Sequence, residues 1–429
     1  MRLVWRSFFG CVFVVCLAAR AATQAPQAAL TWTQVRDRFR ATNPTLQAGR
    51  IGIDASRAAE ITAYLRPNPE WSLTLDQVGN TDEGNVFSAS NLTAAFSYLH
   101  EREHKRELRR DSARGATAIT MSAQSDLERN LTFTLRGAFV QVLQAKAFRT
   151  LAQDDLANYD QVLGLARDRL RAGDIAQIDL DRLELQRVTY ESDAQSAEVN
   201  LRTAKIQLLR LLDDQTTAVD LFDVSGPFDF ASPVQSVDDL RRTALDVRPD
   251  LRAAVQGIDK ARTDHRLALA NGSSDPTINV DAGFPSISQG FLSYQPPLRQ
   301  YVGVGVGVPL RIFDRNQGEK LRTELDIARN ERLADAVKLQ VFGDVDTAYA
   351  TVASTVTLLR PYKDRYLDQA TRVRDTVTFS YQRGGASLVD FLQAQQQYRA
   401  VQVSYVNLIA AFLNAVNQLN LAVGQEVMP

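Results

Sequence analysis

Apolar and polar residues alternate with a period of two in four short segments of this chain. The segments are Trp71 to Val78, Ser88 to Tyr98, Thr277 to Phe284 and Val302 to Val308. A period of two predicts β-strands with one apolar face and one wet face. In the fourth segment valines alternate with glycines, which indicates a narrow or crowded inner side. A polar or glycine-bearing loop is predicted inside each strand pair, at residues 79–86 and 285–299.

Long segments with a helical pattern follow each strand pair. From Glu101 to Ala172 there is no proline, and at about 1.5 Å per residue this predicts a helix of about 100 Å. The matching stretch runs from Gln317 to Arg383, with a kink expected at Pro361. Returning segments carry apolar residues at steps of three and four, which predicts helices paired side by side. Another helix is predicted from Thr31 to Arg66.

The two halves of the chain repeat the same pattern at a spacing of 205 residues. Pro44 and Gly52 match Pro249 and Gly257 at this spacing. A similarity of this length indicates one structural unit used twice. We therefore expect a first repeat at 22–212, a linker or equatorial segment at 213–237, a second repeat at 238–424 and a tail at 425–429.

The first 21 residues resemble a secretory signal peptide. A basic start is followed by an apolar run that is too short to span a bilayer and then by an A-x-A cleavage site. Both cysteines, Cys11 and Cys16, lie in this segment, so a cleaved chain would have no disulfide or thiolate site. Lipidation of Cys16 is the alternative to cleavage, but Val15 before it is larger than the small residue expected there.

Charge and hydropathy give no indication of a nucleic-acid-binding protein or of a helical membrane protein. Without the three arginines of the signal the chain has 46 basic and 50 acidic residues, a balance that gives no indication of nucleic-acid binding. Beyond the signal there is no long apolar run, so no transmembrane helix is predicted.

The four strands are long enough to cross an outer membrane as part of a β-barrel. An open sheet edge cannot lie in lipid, because its unpaired backbone groups would each cost several kcal/mol. Four strands cannot close a barrel, so several copies must share one. Three copies would give twelve strands and a channel, with four copies as the alternative. Five aromatic residues are candidates for the membrane interface: Trp71, Phe96, Tyr98, Phe284 and Tyr301. The alternative to a membrane barrel is a soluble pair of hairpins packed on the helices.

Each long helix ends in a turn centred on a glycine. The first turn has Gly173, with Asp179 six residues later; the second has Gly384, with Ser387 and Asp390 three and six residues later. Glycine permits the left-handed backbone that ends a helix. Ser387 and Asp390 are placed to cap the returning helix, which is the structural interpretation of both residues.

The second turn, from Tyr381 to Gln395, resembles the periplasmic-tip motif of TolC-like outer-membrane efflux proteins. Its sequence is YQRGGASLVDFLQAQ, and the resemblance extends over both repeats. The strand exit Pro309 to Gly318, PLRIFDRNQG, is similar to the heavy-metal (cobalt-zinc-cadmium) branch of that family.

The resemblance implies a mainly α-helical fold with a transmembrane β-barrel. Three copies would form a twelve-stranded barrel in the outer membrane on a long α-helical barrel in the periplasm. Such a protein is a passive exit duct and not an enzyme, and it needs no cofactor. The implied partners are two further copies, a periplasmic adaptor and an inner-membrane transporter of the resistance-nodulation-division (RND) type.

The resemblance also implies a gate at the helix turns. The constricting acid of the family falls on Asp390, and three copies would form an acidic ring that attracts cations. A second family acid falls on Gln393, so this ring would carry fewer charges. The gate-locking tyrosine falls on Tyr381, and its acidic partner falls on Asp179.

Four further residues complete the predicted gate. Gly173 and Gly384 shape the two turns, and Ser387 starts the returning helix. A gate arginine of the family is replaced by Ala386 in this chain, and Arg383 is a candidate substitute.

The sequence also offers two alternative functions. His100, Glu101 and His104 match the H-E-x-x-H zinc-protease pattern, but no catalytic domain surrounds them and the third histidine, His265, lies in the other repeat. A zinc-dependent hydrolase is therefore an alternative on this short motif alone. The second alternative, a periplasmic adaptor built on a helical hairpin, does not explain the four strands.

Overall fold

The computed structural model describes residues 29–76, 91–231, 235–285 and 300–428. The predicted signal segment, both cysteines and, apart from Pro285, the two loops predicted inside the strand pairs lie outside these residues. Nine α-helices and four strands follow one another in the described part. The helices are α1 Trp32–Thr42, α2 Pro44–Ala63, α3 Lys105–Ala172, α4 Gln177–Leu211, α5 Val237–Val247, α6 Pro249–Asn271, α7 Gln317–Pro361, α8 Leu367–Gln382 and α9 Leu388–Val423. The strands are β1 Glu70–Asp76, β2 Asn91–Leu99, β3 Thr277–Pro285 and β4 Tyr301–Gly307.

The segment predicted as one helix from Thr31 to Arg66 is two helices, α1 and α2. The chain turns at Asn43, whose backbone is extended and whose side-chain oxygen accepts a hydrogen bond of 3.1 Å from the N–H of Leu46. Pro44 causes the break, because proline disfavours helical geometry at the residue before it and fits the first position of a helix. Pro249 repeats this arrangement between α5 and α6.

The two long helical segments differ in continuity. Helix α3 runs for 68 residues without interruption, and it starts at Lys105 because Glu103 and His104 have positive φ angles. In the second repeat the α-helix is interrupted directly after Pro361, the position where a kink is predicted. There α7 ends, a single π-helical turn spans Tyr362–Tyr366, and α8 continues. A proline lacks the N–H that the α-helical ladder needs, so a wider turn replaces it.

The strands form one antiparallel sheet in the order β1-β2-β3-β4. The register places Trp71, Phe96, Val280 and Val304 side by side in one row, so apolar residues of all four strands share a face. Most of this face is open; Val304, for example, is 75% exposed. No described helix covers it, which argues against the soluble alternative of hairpins packed on the helices.

The opposite face of the sheet is polar and glycine-rich, as predicted. Gly283 and Gly303 are each covered by a neighbour: a Cβ at Gly283 would lie 2.1 Å from the ring of Tyr301, and one at Gly303 would lie 2.7 Å from a carboxylate oxygen of Asp281. Tyr301 pairs with Gly283, so it belongs to this inner face. The prediction of Tyr301 as a residue of the lipid interface was therefore wrong, because the strand begins one residue earlier than the valine pattern indicates.

Both outer edges of the sheet are open in the described part of the chain. Strand β1 pairs only with β2, and β4 pairs only with β3. The two hairpins of one copy are joined through β2 and β3, with nine residue pairs from Asn91↔Pro285 to Leu99↔Thr277. A single copy thus supplies a continuous four-stranded arc whose two edges need partners.

Three apolar clusters hold the helices together. One joins α5, α7 and α9 of the second repeat, and another joins α1, α3 and α4 of the first repeat. The linker packs on the first-repeat cluster through buried Phe222 and Val224, and Leu30 forms a parallel bridge to Val224. The third cluster lies at the helix turns and contains residues of both repeats. Packing between long helices therefore stabilises most of the molecule.

One described helix, α9, is long and apolar enough to cross a membrane by length and composition. Its most apolar stretch has a mean hydropathy of 1.4, and 67% of that stretch is buried against other parts of the protein. Residues such as Phe412 and Leu419 belong to the second-repeat core. Helix α9 is therefore a core helix of the second repeat.

Candidate functional site at the helix turns

Both helical hairpins turn at a glycine with a positive φ angle. Gly173 ends α3 with φ of 85°, and Gly384 follows α8 with φ of 78°. In the first turn the N–H of Asp174 donates to the carbonyl of Arg169 at 2.9 Å; in the second, the N–H of Gly385 donates to that of Ser380 at 2.8 Å. These bonds satisfy carbonyls at the helix ends, and a side chain at either glycine would strain the backbone.

Ser387 and Asp390 form a complete capping box at the start of α9. The N–H of Asp390 donates to the Ser387 hydroxyl oxygen at 3.1 Å, and the Ser387 N–H donates to Asp390 Oδ2 at 3.2 Å. The Ser387 hydroxyl also donates to the same carboxylate at 2.7 Å. These bonds lower the pKa of Asp390 below its usual range. Asp390 is therefore an exposed, ionised and fixed charge at the end of the molecule.

The first turn lacks such a cap. Ala176 occupies the position equivalent to Ser387 and makes no side-chain cap. Asp179, at the position equivalent to Asp390, is partly buried and lies 3.7 Å from Arg182. The two turns share their geometry, but only the second fixes its acid with hydrogen bonds.

A cluster of aromatic and aliphatic side chains joins the two turns within one copy. Tyr381 is 6% exposed and stacks on Phe391 with ring centres 4.9 Å apart. Tyr159 stacks on Tyr190 at 4.6 Å and donates its hydroxyl proton to the carbonyl of Leu183 at 3.1 Å. The tip cluster consists of Tyr159, Val162, Leu163, Ala166, Leu180, Leu183, Tyr190, Tyr381 and Phe391.

Arg169, which the sequence analysis missed, connects α3 to the second turn. Its Nη1 donates to the carbonyl of Tyr381 at 2.8 Å, and its guanidinium lies 5.3 Å from the centre of that ring. Burial raises the pKa of Tyr381, nearby Asp179 raises it further, and Arg169 opposes both. The hydroxyl of Tyr381 makes no hydrogen bond to Asp179 within the described copy. The available signal for Arg169 in the sequence was its position as a basic residue in the last helical turn before Gly173.

The other predicted gate residues lie on the exposed side of the second turn. Arg383 stacks over the ring of Phe379 at 4.3 Å, so within one copy Arg169, and not Arg383, contacts Tyr381. Gln393 is exposed on α9. The structure thus places Tyr381 and Asp179 within electrostatic range of each other and leaves Arg383, Asp390 and Gln393 on the surface.

A charged cluster, which the sequence analysis did not predict, joins α3, α4 and α9 at a distance from the turns. Arg399 of α9 pairs with Asp193 of α4 and lies 4.0 Å from Asp155 of α3. The side chain of Asp155 is only 10% exposed. Burial raises its pKa to about 6, although Arg399 and Arg374 oppose the shift. These three residues are far apart in sequence, so no local motif marks them.

The structure does not support the zinc-protease interpretation. His100 and Glu101 lie outside any helix, and α3 begins only after His104, whose side chain is 88% exposed. Glu101 is engaged by Arg109 in a two-point ion pair. The H-E-x-x-H mechanism needs both histidines on one face of a helix, and this segment lacks that geometry. Within the described residues there is no cluster of His, Cys, Asp and Glu able to hold a metal ion.

Comparison with known proteins identifies this architecture. Residues 240–425 match the family model described as outer membrane efflux protein. The match covers the second repeat of the chain and agrees with the predicted outer-membrane efflux family. The predicted family, its efflux function and its location at the outer membrane are thereby confirmed, and channels of this family are trimers that work with periplasmic adaptors and inner-membrane RND transporters.

Individual relatives are distant in sequence but similar over most of their length. The chain is 22% identical to the cobalt-zinc-cadmium resistance protein CzcC of Cupriavidus metallidurans, over 89% of this chain and 87% of the relative. It is 25% identical to the pyoverdine export outer membrane protein OpmQ of Pseudomonas aeruginosa, over 70% and 62%. The solved structure of CusC superimposes with a TM-score of 0.73 at 17% identity, over 96% of both chains, which confirms the fold.

Proposed function

We propose that this outer membrane efflux protein releases metal cations through a channel whose lining favours positive charge. Three acids, Glu70, Asp76 and Asp281, are the charged residues of the four described strands, and all three lie on the inner face. This single-sign lining is the observation that carries the proposal. In a trimer it would place nine carboxylates around the lumen.

The closed duct follows from the open sheet edges. Backbone groups at the edges of β1 and β4 would be unsatisfied in lipid, whereas three arcs of four strands close into one barrel. The exposed apolar face would then contact lipid, and the face with Asp281 and Tyr301 would line the lumen. The helical part would extend the lumen into the periplasm, toward the adaptor and transporter.

Metal cations are supported by two independent considerations. The relative from Cupriavidus metallidurans is named for resistance to cobalt, zinc and cadmium, and its likeness extends over most of both chains. The acidic lining attracts cations without binding them tightly, as a release path requires. The protein would therefore act as a passive duct without catalysis, and the partner transporter would supply both selectivity and energy.

We further propose that the helix turns form the gate of this duct. Asp390 would contribute one fixed negative charge per copy, and the tip cluster with Arg169 would hold both turns of a copy in one position. Gly173 and Gly384 would set the backbone of the turns, Ser387 would hold the acid, and Gln393 would line the passage without charge. Tyr381, Asp179 and Arg383 would then make the contacts that break when the passage widens.

Planar-bilayer recordings of the purified trimer test the cation preference. In a tenfold KCl gradient the reversal potential should indicate cation selectivity, and Asp281→Asn should reduce it because three lumenal charges are removed. Asp37→Asn, a change at an exposed acid on α1, is the matched control and should leave the potential unchanged. Anion selectivity of the unmodified trimer, or identical potentials for both variants, would contradict the proposal.

Metal export itself is tested in cells. A strain lacking this protein should accumulate cobalt, zinc or cadmium and grow poorly in their presence, and the intact gene should restore growth. Another relative is named for the export of pyoverdine, so export of an organic substrate is the alternative outcome. Unchanged metal tolerance together with lost export of an organic metal chelator would assign the duct to organic substrates instead.

A further inference from the structure

A cavity of about 580 Å³ lies where α1 and α3 of the first repeat meet the end of α5, the start of α6 and the end of α9 of the second. Its lining is rich in arginine: Arg36, Arg40, Arg129, Arg136 and Arg252. A volume of this size is in the range of small-molecule sites. Neither the proposed lumen nor the helix turns account for this concentration of positive charge.

One carboxylate already occupies part of the arginine-lined cavity. Glu426, in the tail after α9, accepts hydrogen bonds from Trp32 Nε1 at 2.7 Å and from Arg136 Nη1 at 3.1 Å on Oε1. Its Oε2 accepts a third bond from Arg36 Nη1 at 3.1 Å. The cavity therefore has the donor arrangement that an acidic group needs.

Two buried donors of the cavity make no hydrogen bond within the described part of the chain, although Glu426 binds nearby. These donors are Arg36 Nε and Thr132 Oγ1. Asp37 lies 3.6 Å from Arg36 Nε, beyond hydrogen-bond distance. Arg252 is exposed, and its side chain makes no hydrogen bond or ion pair with any described residue, so its charge is available to a bound anion. Buried polar groups are nearly always paired, so the two buried donors, Arg36 Nε and Thr132 Oγ1, favour an acceptor in this cavity.

Three other arginines of the cavity, Arg40, Arg129 and Arg136, have partners within the protein. Arg40 pairs with Glu128 at 2.7 Å, and Arg129 pairs with Asp126 at 2.6 Å. Arg36 and Arg136 share Glu426, and burial, together with the charge of Arg36, lowers the pKa of Arg136. An added anion would relieve this crowding of positive charge.

We infer that the cavity is a binding site for a small organic anion, whose carboxylate or phosphate group accepts hydrogen bonds from Arg36 Nε, Thr132 Oγ1 and Arg252. The anion binds beside Glu426, which limits affinity through its own negative charge. The site couples the two repeats of one copy, because Thr132 and Arg36 belong to the first and Arg252 to the second. Anion binding at this cavity is separate from the efflux function, and it can be measured without transport.

Isothermal titration calorimetry of the detergent-solubilised trimer tests anion binding at this site. Citrate supplies carboxylates and inorganic phosphate supplies the alternative group, with sodium chloride at equal ionic strength as the blank. Saturable binding of either anion is expected. Arg252→Gln and Thr132→Val should each weaken it by about tenfold, because each removes a donor to a charged acceptor. Glu426→Gln should strengthen binding, since it removes a neighbouring negative charge.

Arg262→Gln is the matched control, because Arg262 lies on the same helix as Arg252 but pairs with Glu331 outside the cavity. This variant should bind like the unmodified trimer. Each variant is first shown to be a folded trimer by size-exclusion chromatography. The inference is overturned if neither anion binds above the chloride blank, or if Arg252→Gln and Thr132→Val bind as tightly as Arg262→Gln.

Discussion

The sheet and the helix turns lie at opposite ends of the same repeat, and they expose opposite kinds of surface. In the sheet the apolar residues point outward and are open, as at Val302 and Val304. At the turns the apolar residues are buried, as at Tyr381 and Phe391, and the exposed positions include Arg383 and Asp390. The sheet is therefore completed by lipid and by other copies, whereas each copy stabilises its own pair of turns.

This difference separates assembly from gating. A change on the outer face of the sheet should act on trimer formation and leave the packing of the turns intact. A change in the tip cluster should loosen the turns and leave the barrel assembled. The predictions below test this separation.

The largest effect is expected for Val304→Asp on the outer face of the sheet. A charge facing lipid costs about 2–4 kcal/mol near the middle of the bilayer, somewhat less for Asp than for Lys or Arg, and each trimer would incur it three times. The yield of trimer in outer-membrane fractions should fall at least tenfold. Gly305→Asp is the control: this neighbour lies on the inner face with no atom within 4 Å of an added Cβ, so trimer should still form. Equal yields of the two variants would show that the outer face is assigned incorrectly.

Phe391→Ala should act at the other end of the molecule. Removing a fully buried phenylalanine costs about 3–5 kcal/mol, so the tip cluster should loosen. Hydrogen exchange and proteolysis at both turns should increase while trimer yield stays normal. Phe379→Ala is the control, because Phe379 is 54% exposed and loses little packing. If both variants exchange equally at the turns, the tip cluster does not hold them together.

A smaller effect is expected for Arg169→Gln. This change removes the charged donor to the carbonyl of Tyr381, at a cost of about 1–2 kcal/mol. Hydrogen exchange should rise at the second turn, although the substitution lies in the first repeat. Arg171→Gln, on an exposed residue that pairs with Asp168, should leave the second turn unchanged. Protection equal to that of the unmodified protein would exclude Arg169 as the link between the turns.

The roles of charge and capping at Asp390 can be separated. Asp390→Asn keeps an acceptor for the Ser387 N–H but removes the charge, so it should change the salt dependence of the conductance in planar bilayers. Ser387→Ala keeps the charge but removes the cap, at about 1 kcal/mol, so it should raise exchange at the start of α9. If Asp390→Asn leaves conductance at low salt unchanged, Asp390 is only a helix cap.

A separate effect concerns pH and the buried Asp155. Its folded pKa of about 6 lies above the ordinary value of 3.8, so the folded state binds a proton more tightly than the unfolded state. Stability should therefore increase as pH falls from 7 through 6 towards 4, by about 1–2 kcal/mol. Asp155→Asn should remove this increase, and Asp154→Asn, at the exposed neighbouring acid, should keep it. Thermal unfolding between pH 4 and 7 measures the difference, and the same slope in both variants would contradict the assignment.

Local patterns in the sequence were sufficient for most elements. Alternation of valine with glycine predicted β4, and the absence of proline predicted α3, because both signals depend only on neighbouring residues. The sequence pattern predicts one helix across Asn43, because the helical periodicity continues on both sides of Pro44, whereas the structure breaks there. Tyr301 was placed on the wrong face because alternation does not define where a strand begins.

The candidate site could be predicted only in part. Gly173, Gly384, Ser387 and Asp390 follow from turn and capping chemistry, and their backbone geometry agrees with it. Arg169 could not be assigned, because its partner lies in the other repeat. The same holds for the cluster of Arg399 with Asp155 and Asp193, whose members belong to three different helices.

By itself, the sequence determined the repeat, the four strands with one apolar face, the long helices and the glycine turns. These features come from backbone preferences and from the periodicity of side chains along one segment. Only the tertiary structure decided which segments meet: Arg169 at Tyr381, Arg399 between two acids, and Glu426 among arginines. The physical reason is that such contacts depend on packing between helices that are distant in the chain, and no spacing along one helix encodes the partner.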